Sequence, residues 1–380
     1  MTIAELMESL ERIAPLQHAE SWDNVGLIAG DPNWSIAGPV VLTIDLTEDV
    51  LAEAVSSKAS LIIAYHPPIW AALKRISTET AMDRAVLGAL RAGIGIYSPH
   101  TALDAAPGGV TDWLCDMLSV DGVSGRTLGD RRALAPAIDH DPRQTHKIVT
   151  FVPATGVEAV RNALSSVGAG VIGEYTQCSF SLQGAGSFFG AEGTSPAVGE
   201  AGQLEQVDEI RLEMVCPERS LALAVEMLHQ FHPYEEPAFD IYALSAKPRR
   251  EIGAGRRITL DHPSTPKELA ARLRTNLGVD AVKLAAAGDA PVSRIGVCPG
   301  AGASLLESAI AEDCEIFVTG EMRHHEALAA VSRGCSILLA GHTNTVRGFL
   351  PQYASRIEEL APGVKVAPAA SDRTLFRTLS

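Results

Sequence analysis

The chain has 380 residues, 46% hydrophobic and 20% charged, which supports a sizeable buried core and two or three domains rather than one. Its 46 acidic against 31 basic residues leave a formal net charge of -15, which argues against a protein that binds a phosphate backbone. The longest apolar stretches fall short of the ~18 residues a membrane-spanning helix needs, so no membrane partner is expected.

Thr2 and Glu5 have capping-box spacing, and Ile3, Leu6, Met7, Leu10 and Ile13 recur at helical intervals. The chain therefore opens with a helix that stops before Pro15, and this start reads as a helix rather than a secretion signal. Residues 40–46 read as a strand, with Thr47 as N-cap of the next helix. Residues 61–65 are a second strand, broken by Pro67 and Pro68. A helix over 81–92 stops at Gly93, 94–97 is a third strand, and 110–118 is another helix. Such alternation predicts parallel βαβ units with helices on both sheet faces.

The middle of the chain reads differently. After the polar stretch 139–146 come a strand at 147–152, a helix at 156–167, a glycine-rich stretch at 179–202, a strand at 209–215, a helix at 220–231 and a strand at 239–244. Two βαβ-like halves predict a small ferredoxin-like sandwich. The α/β rhythm then returns, with strands at 295–298, 316–319 and 336–340 and a helix carrying His324 and His325. The expected fold class is α/β: two similar α/β lobes, 1–138 and 253–380, form one core interrupted by a ferredoxin-like α+β insert at 139–252. The six cysteines, at 115, 178, 216, 298, 314 and 335, form no C-x-x-C pair and read as buried apolar fillers in a reducing cytoplasm, the expected location.

In open parallel sheets ligands bind beyond the carboxyl ends of strands. Several predicted strands end in chemistry: one contains Asp45, one ends in Tyr65-His66-Pro67, one leads to Ser98-Pro99-His100 and on to Asp104, one to Gly320-Glu321, one to Gly341-His342. A lone His at a strand end is more often a capping or packing residue. The coincidence at several strand ends favours a metal site built from His66, Asp104 and His342, with imidazole and carboxylate suiting Zn, Mn, Fe or Co.

Four weaker signals have bland readings. Adjacent His324 and His325 point to different helix faces, so one buried and one solvated is expected. Glu321 at the start of that helix suits the positive dipole end. The turn Gly300-Ala301-Gly302-Ala303-Ser304 can hold an anion on its backbone amides but lacks a P-loop lysine, which favours a simple tight turn. In His232-Pro233-Tyr234-Glu235-Glu236-Pro237 the bracketing prolines favour a rigid, shaped loop over an acid–base or metal site, with the glycine-rich 184–202 lying against it. Neither G-x-S-x-G nor H-E-x-x-H occurs.

Six motifs in order carry a family resemblance: Ser21-Trp22-Asp23-Asn24-Val25-Gly26-Leu27, Tyr65-His66-Pro67-Pro68-Ile69-Trp70, Ser98-Pro99-His100-Thr101-Ala102-Leu103-Asp104, the His232–Pro237 run, Thr319-Gly320-Glu321-Met322-Arg323-His324-His325 and Gly341-His342-Thr343-Asn344-Thr345-Val346-Arg347. Over nearly its whole length the chain resembles the Nif-three-like family, also known as the GTP cyclohydrolase I type 2 family. The insert resembles the PII-like domain of longer members. The resemblance implies a dinuclear metal site with His66, Asp104 and His342 as ligands, and a ring-shaped homo-oligomer, often a hexamer. Two positions depart from the pattern. Tyr65 stands where many bacterial members have His, as in eukaryotic-type members, and Val346 stands where the family usually places a Glu ligand. One or two divalent ions per chain are therefore expected.

The expected function is a metal-dependent hydrolase acting on a small, nucleotide-like substrate such as GTP. His100 or Glu321 would move protons and Lys74, Arg75 and Arg347 would meet phosphates. The alternative is a non-catalytic metal-binding or adaptor protein with a degraded site.

Overall fold

The computed structural model describes residues 1–120, 128–139 and 141–376. His140, part of the polar stretch read above, lies outside them. The chain forms two compact units, one of residues 1–137 with 249–380, the other of residues 138–248. Among the described residues no helix is long and apolar enough to cross a membrane.

The larger unit is built on two large sheets. The first runs in the order Gly26–Ala29, Gly95–Ser98, Leu61–Ala64, Val40–Thr43, Val366–Pro368. Its pairs are parallel apart from the edge strand Gly26–Ala29, which is antiparallel to Gly95–Ser98. The three inner strands are buried on both faces, which is why they read as unbroken apolar runs. Val40, Leu42, Leu61 and Ile63 pack on one side against Ile3, Leu6 and Leu10 of the first helix. Val41, Ile62 and Ile96 pack on the other side against Val50, Ala54, Val86 and Ala89. The caps hold as read: Thr2 and Glu5 form the capping box, Thr47 caps Glu48–Ser56, and Gly93 leaves the helix Ala81–Arg91 with a φ of 69° that glycine adopts cheaply.

The second sheet runs Lys283–Ala285, Ser336–Leu339, Ile316–Thr319, Val292–Val297, Arg256–Ser264, Leu128–Arg132, with its three middle strands parallel. Each lobe lends the other a strand. Val366–Pro368 pairs with Val40–Thr43 of the first sheet, and Leu128–Arg132 pairs with Arg256–Ser264 of the second. The parallel strands of both sheets end toward the loops that carry His66, His100, Glu321 and His342.

The smaller unit follows a strand–helix–strand–strand–helix–strand course. Its sheet order is Phe239–Ala243, His146–Val152, Leu204–Cys216, Phe180–Phe189, all antiparallel, which is the ferredoxin-like arrangement. The glycine-rich stretch supplies the edge strand Phe180–Phe189. The helices Val157–Ser166 and Leu221–Phe231 pack on one face, over Ile148, Leu212 and Met214.

Candidate metal centre

His66 follows the strand Leu61–Ala64 after Tyr65, and its backbone N–H still pairs with Ile44 O at 3.0 Å, so the ring leaves the sheet in a fixed direction. His342 follows Ser336–Leu339 after Gly341, whose φ of 93° lets the chain turn out of the second sheet. The two imidazoles meet, with Nε2 to Nε2 at 3.3 Å. Gly300 makes room for this approach, since a Cβ there would lie 3.3 Å from His342 Nε2.

The outer nitrogens settle what the inner ones are. His66 Nδ1 lies 2.8 Å from Asp45 Oδ1, and His342 Nδ1 lies 3.0 Å from Glu321 Oε1. A carboxylate only accepts, so each Nδ1 carries a proton, and in the neutral ring each Nε2 presents a lone pair. Two lone pairs facing each other at 3.3 Å repel unless a cation or a shared proton sits between them. Two nitrogens each ~2.1 Å from a tetrahedral ion stand about 3.4 Å apart, so the spacing fits a divalent metal.

Asp104 is held differently. Its two carboxylate oxygens both lie 2.8 Å from the Tyr65 hydroxyl, which donates to them. Burial pushes the Asp104 carboxyl up to about 6, with the neighbouring His100 and the Tyr65 hydrogen bond opposing that rise. Burial also pushes the Tyr65 hydroxyl well above its ordinary value, and the Asp104 charge adds to this. Among the described residues, no three His, Cys, Asp or Glu side chains gather into a group spaced to hold one ion. The structure thus brings His66 and His342 together and leaves Asp104 bonded to Tyr65.

His100 extends the cluster, its ring centroid 5.4 Å from that of His66 and 5.2 Å from that of Tyr65. Its Nδ1 lies 2.8 Å from Asp23 Oδ1, and the other Asp23 oxygen accepts from Thr101 N and its hydroxyl. His100 holds a φ of 26°, a left-handed conformation that favours glycine, and such strain concentrates at functional sites. Trp22 and Trp70 stand beside it with ring centroids 5.4 Å apart; Trp70 is 5.5 Å from the His100 ring. Both indoles are more than half exposed, at 58% and 57%. Large aromatics left open to water beside a polar cluster form a stacking surface for a flat ring.

The remaining predicted residues are placed as follows. Lys74 and Arg75 are exposed on the loop after Trp70. Arg347 donates through Nη1 to the backbone oxygen and carboxylate of Asp372, and its charge helps lower the Asp45 carboxyl. Val346 is fully buried in the apolar cluster that also holds Tyr65 and Phe349. His324 and His325 are both exposed, which corrects the expected pairing of one buried and one solvated. Their helix starts at His324, in the first turn, where neither side chain has a preceding turn to pack under. The His232 ring is buried and its Nε2 meets Phe151 O at 3.0 Å while its Nδ1 accepts from Tyr234 N at 3.1 Å, so this motif shapes its own loop.

A family model described as Duf34/NIF3 (NGG1p interacting factor 3) matches residues 1–374. The chain is 37% identical over 338 residues to a GTP cyclohydrolase 1 type 2 homolog of Bacillus subtilis, covering 89% of this chain and 87% of that protein. It is 33% identical over 379 residues to NIF3-like protein 1 of Bos taurus, covering 98% and 91%. The crystal structure of a Bacillus cereus protein related to NIF3 matches with a TM-score of 0.65 and 31% identity over 99% of both chains. Staphylococcus aureus protein SA1388 shares the fold with a TM-score of 0.77 at 24% identity, over 100% of this chain and 99% of that one.

Proposed function

Because the chain belongs to the Duf34/NIF3 family, we propose that it binds a divalent metal ion, Zn, Mn, Fe or Co, between His66 and His342, and hydrolyses a small nucleotide-like substrate there. The observation that carries the reading is the pair of opposed Nε2 lone pairs, each fixed by a carboxylate on its own Nδ1. Carboxylate–histidine pairs of this kind orient metal ligands and raise their basicity. When bound, such an ion supplies Lewis-acid chemistry, polarising a substrate oxygen and acidifying water.

The chain's own residues then divide the work. Asp45 and Glu321 orient His66 and His342. His100, with its Nδ1 proton on Asp23, keeps Nε2 free to take a proton. Trp22 and Trp70 take the face of the substrate ring, and Lys74 and Arg75, exposed on the adjoining loop, meet its phosphates. The similarity to GTP cyclohydrolase 1 type 2 homologs makes GTP the first substrate to test.

Elemental analysis of protein purified without chelator is expected to find about one divalent ion per chain, falling to near zero in His342→Ala. Metal-loaded protein is expected to release formate from GTP. With that activity in hand, Trp70→Ala should raise KM about tenfold with little change in kcat, since stacking a base on an aromatic contributes ~1–3 kcal/mol.

A second reading rests on its own observations. Tyr65 occupies both oxygens of Asp104, and Val346 offers no donor and is sealed in the core. A chain that has lost two ligand positions this way acts as a metal-binding or adaptor protein without turnover. Metal without any formate, or near-zero metal, supports that reading; formate release by the metal-loaded protein sinks it.

A further inference from the structure

The insert carries a cleft that the metal centre does not use. Its helices cover one face of the sheet, leaving the other open, and there a cleft of about 610 Å³ is formed. Sites for small molecules span roughly 300–1,000 Å³. The floor is the sheet itself. Phe151, Leu182 and Arg211 lie side by side in register on the three neighbouring strands, and Gly184 and Gly186 continue the edge strand. A Cβ on Gly184 would meet nothing, so the space above that strand is open. One wall is the turn that includes Thr194 and Pro196; the other is the segment Tyr234-Glu235-Glu236. The two walls are tied, since Ser195 N donates to Glu235 Oε2 at 3.2 Å.

The charge inside is one-sided. Arg211 is the one cation among the lining residues, and it is already spent: Nε donates to Glu213 Oε1 at 2.8 Å and the guanidinium lies over the Phe151 ring at 5.6 Å. Against it stand the carboxylates of Glu209, Glu235 and Glu236. Glu209 lies folded over Gly186, where a Cβ would come within 2.2 Å of Oε2. The Tyr234 hydroxyl is buried beside Glu209, and burial first, then the Glu209 carboxylate, push it well above its ordinary value. An apolar floor rimmed by three carboxylates, against a single cation that is itself paired with Glu213, selects for a flat ring with a positive, N–H-rich end.

We infer that this cleft is a binding site for a small planar organic cation, an aromatic or heteroaromatic ring bearing an amidine or guanidine group, which lies over Leu182 and Gly184 and donates to Glu209 and Glu236. The site is independent of the metal centre and gives the insert a ligand of its own.

Benzamidine is the probe and benzoate its charge-reversed control, titrated by calorimetry and NMR against the full chain. Benzamidine is expected to saturate one site per chain while benzoate does not bind. Glu209→Gln should weaken benzamidine at least tenfold. Gly184→Phe, at a strand position free of positive φ and of neighbours, should fill the cleft and abolish binding with an unchanged melting temperature. Equal binding of benzoate, no binding of benzamidine, or a Gly184→Phe variant that binds as the parent does would each overturn the assignment. So would a change of mass in light scattering on Gly184→Phe, which would make this face a contact between copies of the chain.

Discussion

Arg256→Ala is expected to destabilise the larger unit by about 3 kcal/mol, the low end of the cost of breaking a buried ion pair, because Arg131 still faces Asp112. Arg256 is 1% exposed, yet every arm of its guanidinium is engaged. Nε donates to Asp112 Oδ1 at 2.9 Å, Nη1 to Gly253 O and Gly255 O at 2.7 and 2.8 Å, and Nη2 to Ala105 O and Ala106 O at 3.1 and 3.2 Å. Removing it takes a donor from four carbonyls at once and leaves Asp112 with Arg131 and the Gly108 N–H alone. Arg256→Lys keeps the charge but not the fork, so its loss should fall between parent and alanine. Urea unfolding of the parent and both variants measures this, and equal midpoints would show that the network contributes nothing. There is a local consequence as well. Ala105 and Ala106 directly follow Asp104, so the same arginine holds the turn that presents the buried carboxylate beside Tyr65.

Arg256 also shows where reading the sequence stops. In Gly-Ala-Gly-Arg-Arg-Ile-Thr nothing marks one of two adjacent arginines as the more buried; the signal is Asp112, 144 positions away. The same holds at the site. His66 and His342 were legible because each terminates an apolar run, and buried parallel strands must be apolar on both faces. Asp45 and Glu321 were visible as strand-end residues, but their pairing with particular Nδ1 atoms arises only once the two sheets set the register of the loops. Asp23 lay in plain view within Ser21-Trp22-Asp23-Asn24 and carried no strand or helix period to explain it.

The same limit applies to the fold. The division into two lobes was read from the repeated rhythm, whereas the exchange of Val366–Pro368 and Leu128–Arg132 was hidden. One is three residues ending in proline, and the other is charged, so neither shows an alternating pattern. The helix Pro266–Leu277 is marked locally at both ends: Thr265 and Glu268 form a capping box, Pro266 sits at N1 and Gly278 closes the end with a φ of 64°. Local signals of this kind suffice for helix ends, while partners of buried charges are decided by tertiary packing.

In metal-free protein held with chelator, Asp104→Asn is expected to raise stability at pH 7.5 by an amount on the order of 3 kcal/mol, and to raise it less and less as the pH falls. The Asp104 carboxyl stands at about 6 in the fold against an ordinary value of 3.8, chiefly because it is buried. A raised value means that the folded chain favours the protonated acid. That preference supports the fold fully below pH 3.8 and is lost as pH rises through about 6. Above that, ionising Asp104 works against folding, and an asparagine, which accepts from the Tyr65 hydroxyl without charge, escapes the cost. The gap between variant and parent, read from urea midpoints across pH 4 to 7.5, should therefore open between those two values. A gap independent of pH would show that Asp104 ionises in the fold as freely as it does in water. Repeating the series with saturating metal adds a second discrimination. If Asp104 joins His66 and His342 in holding the ion, the parent recovers its deficit through binding, because a ligand that binds only the folded chain stabilises it in proportion to its affinity. The asparagine variant then loses its advantage. If Asp104 stays with Tyr65, metal raises both proteins equally, and the ion rests on the two imidazoles alone.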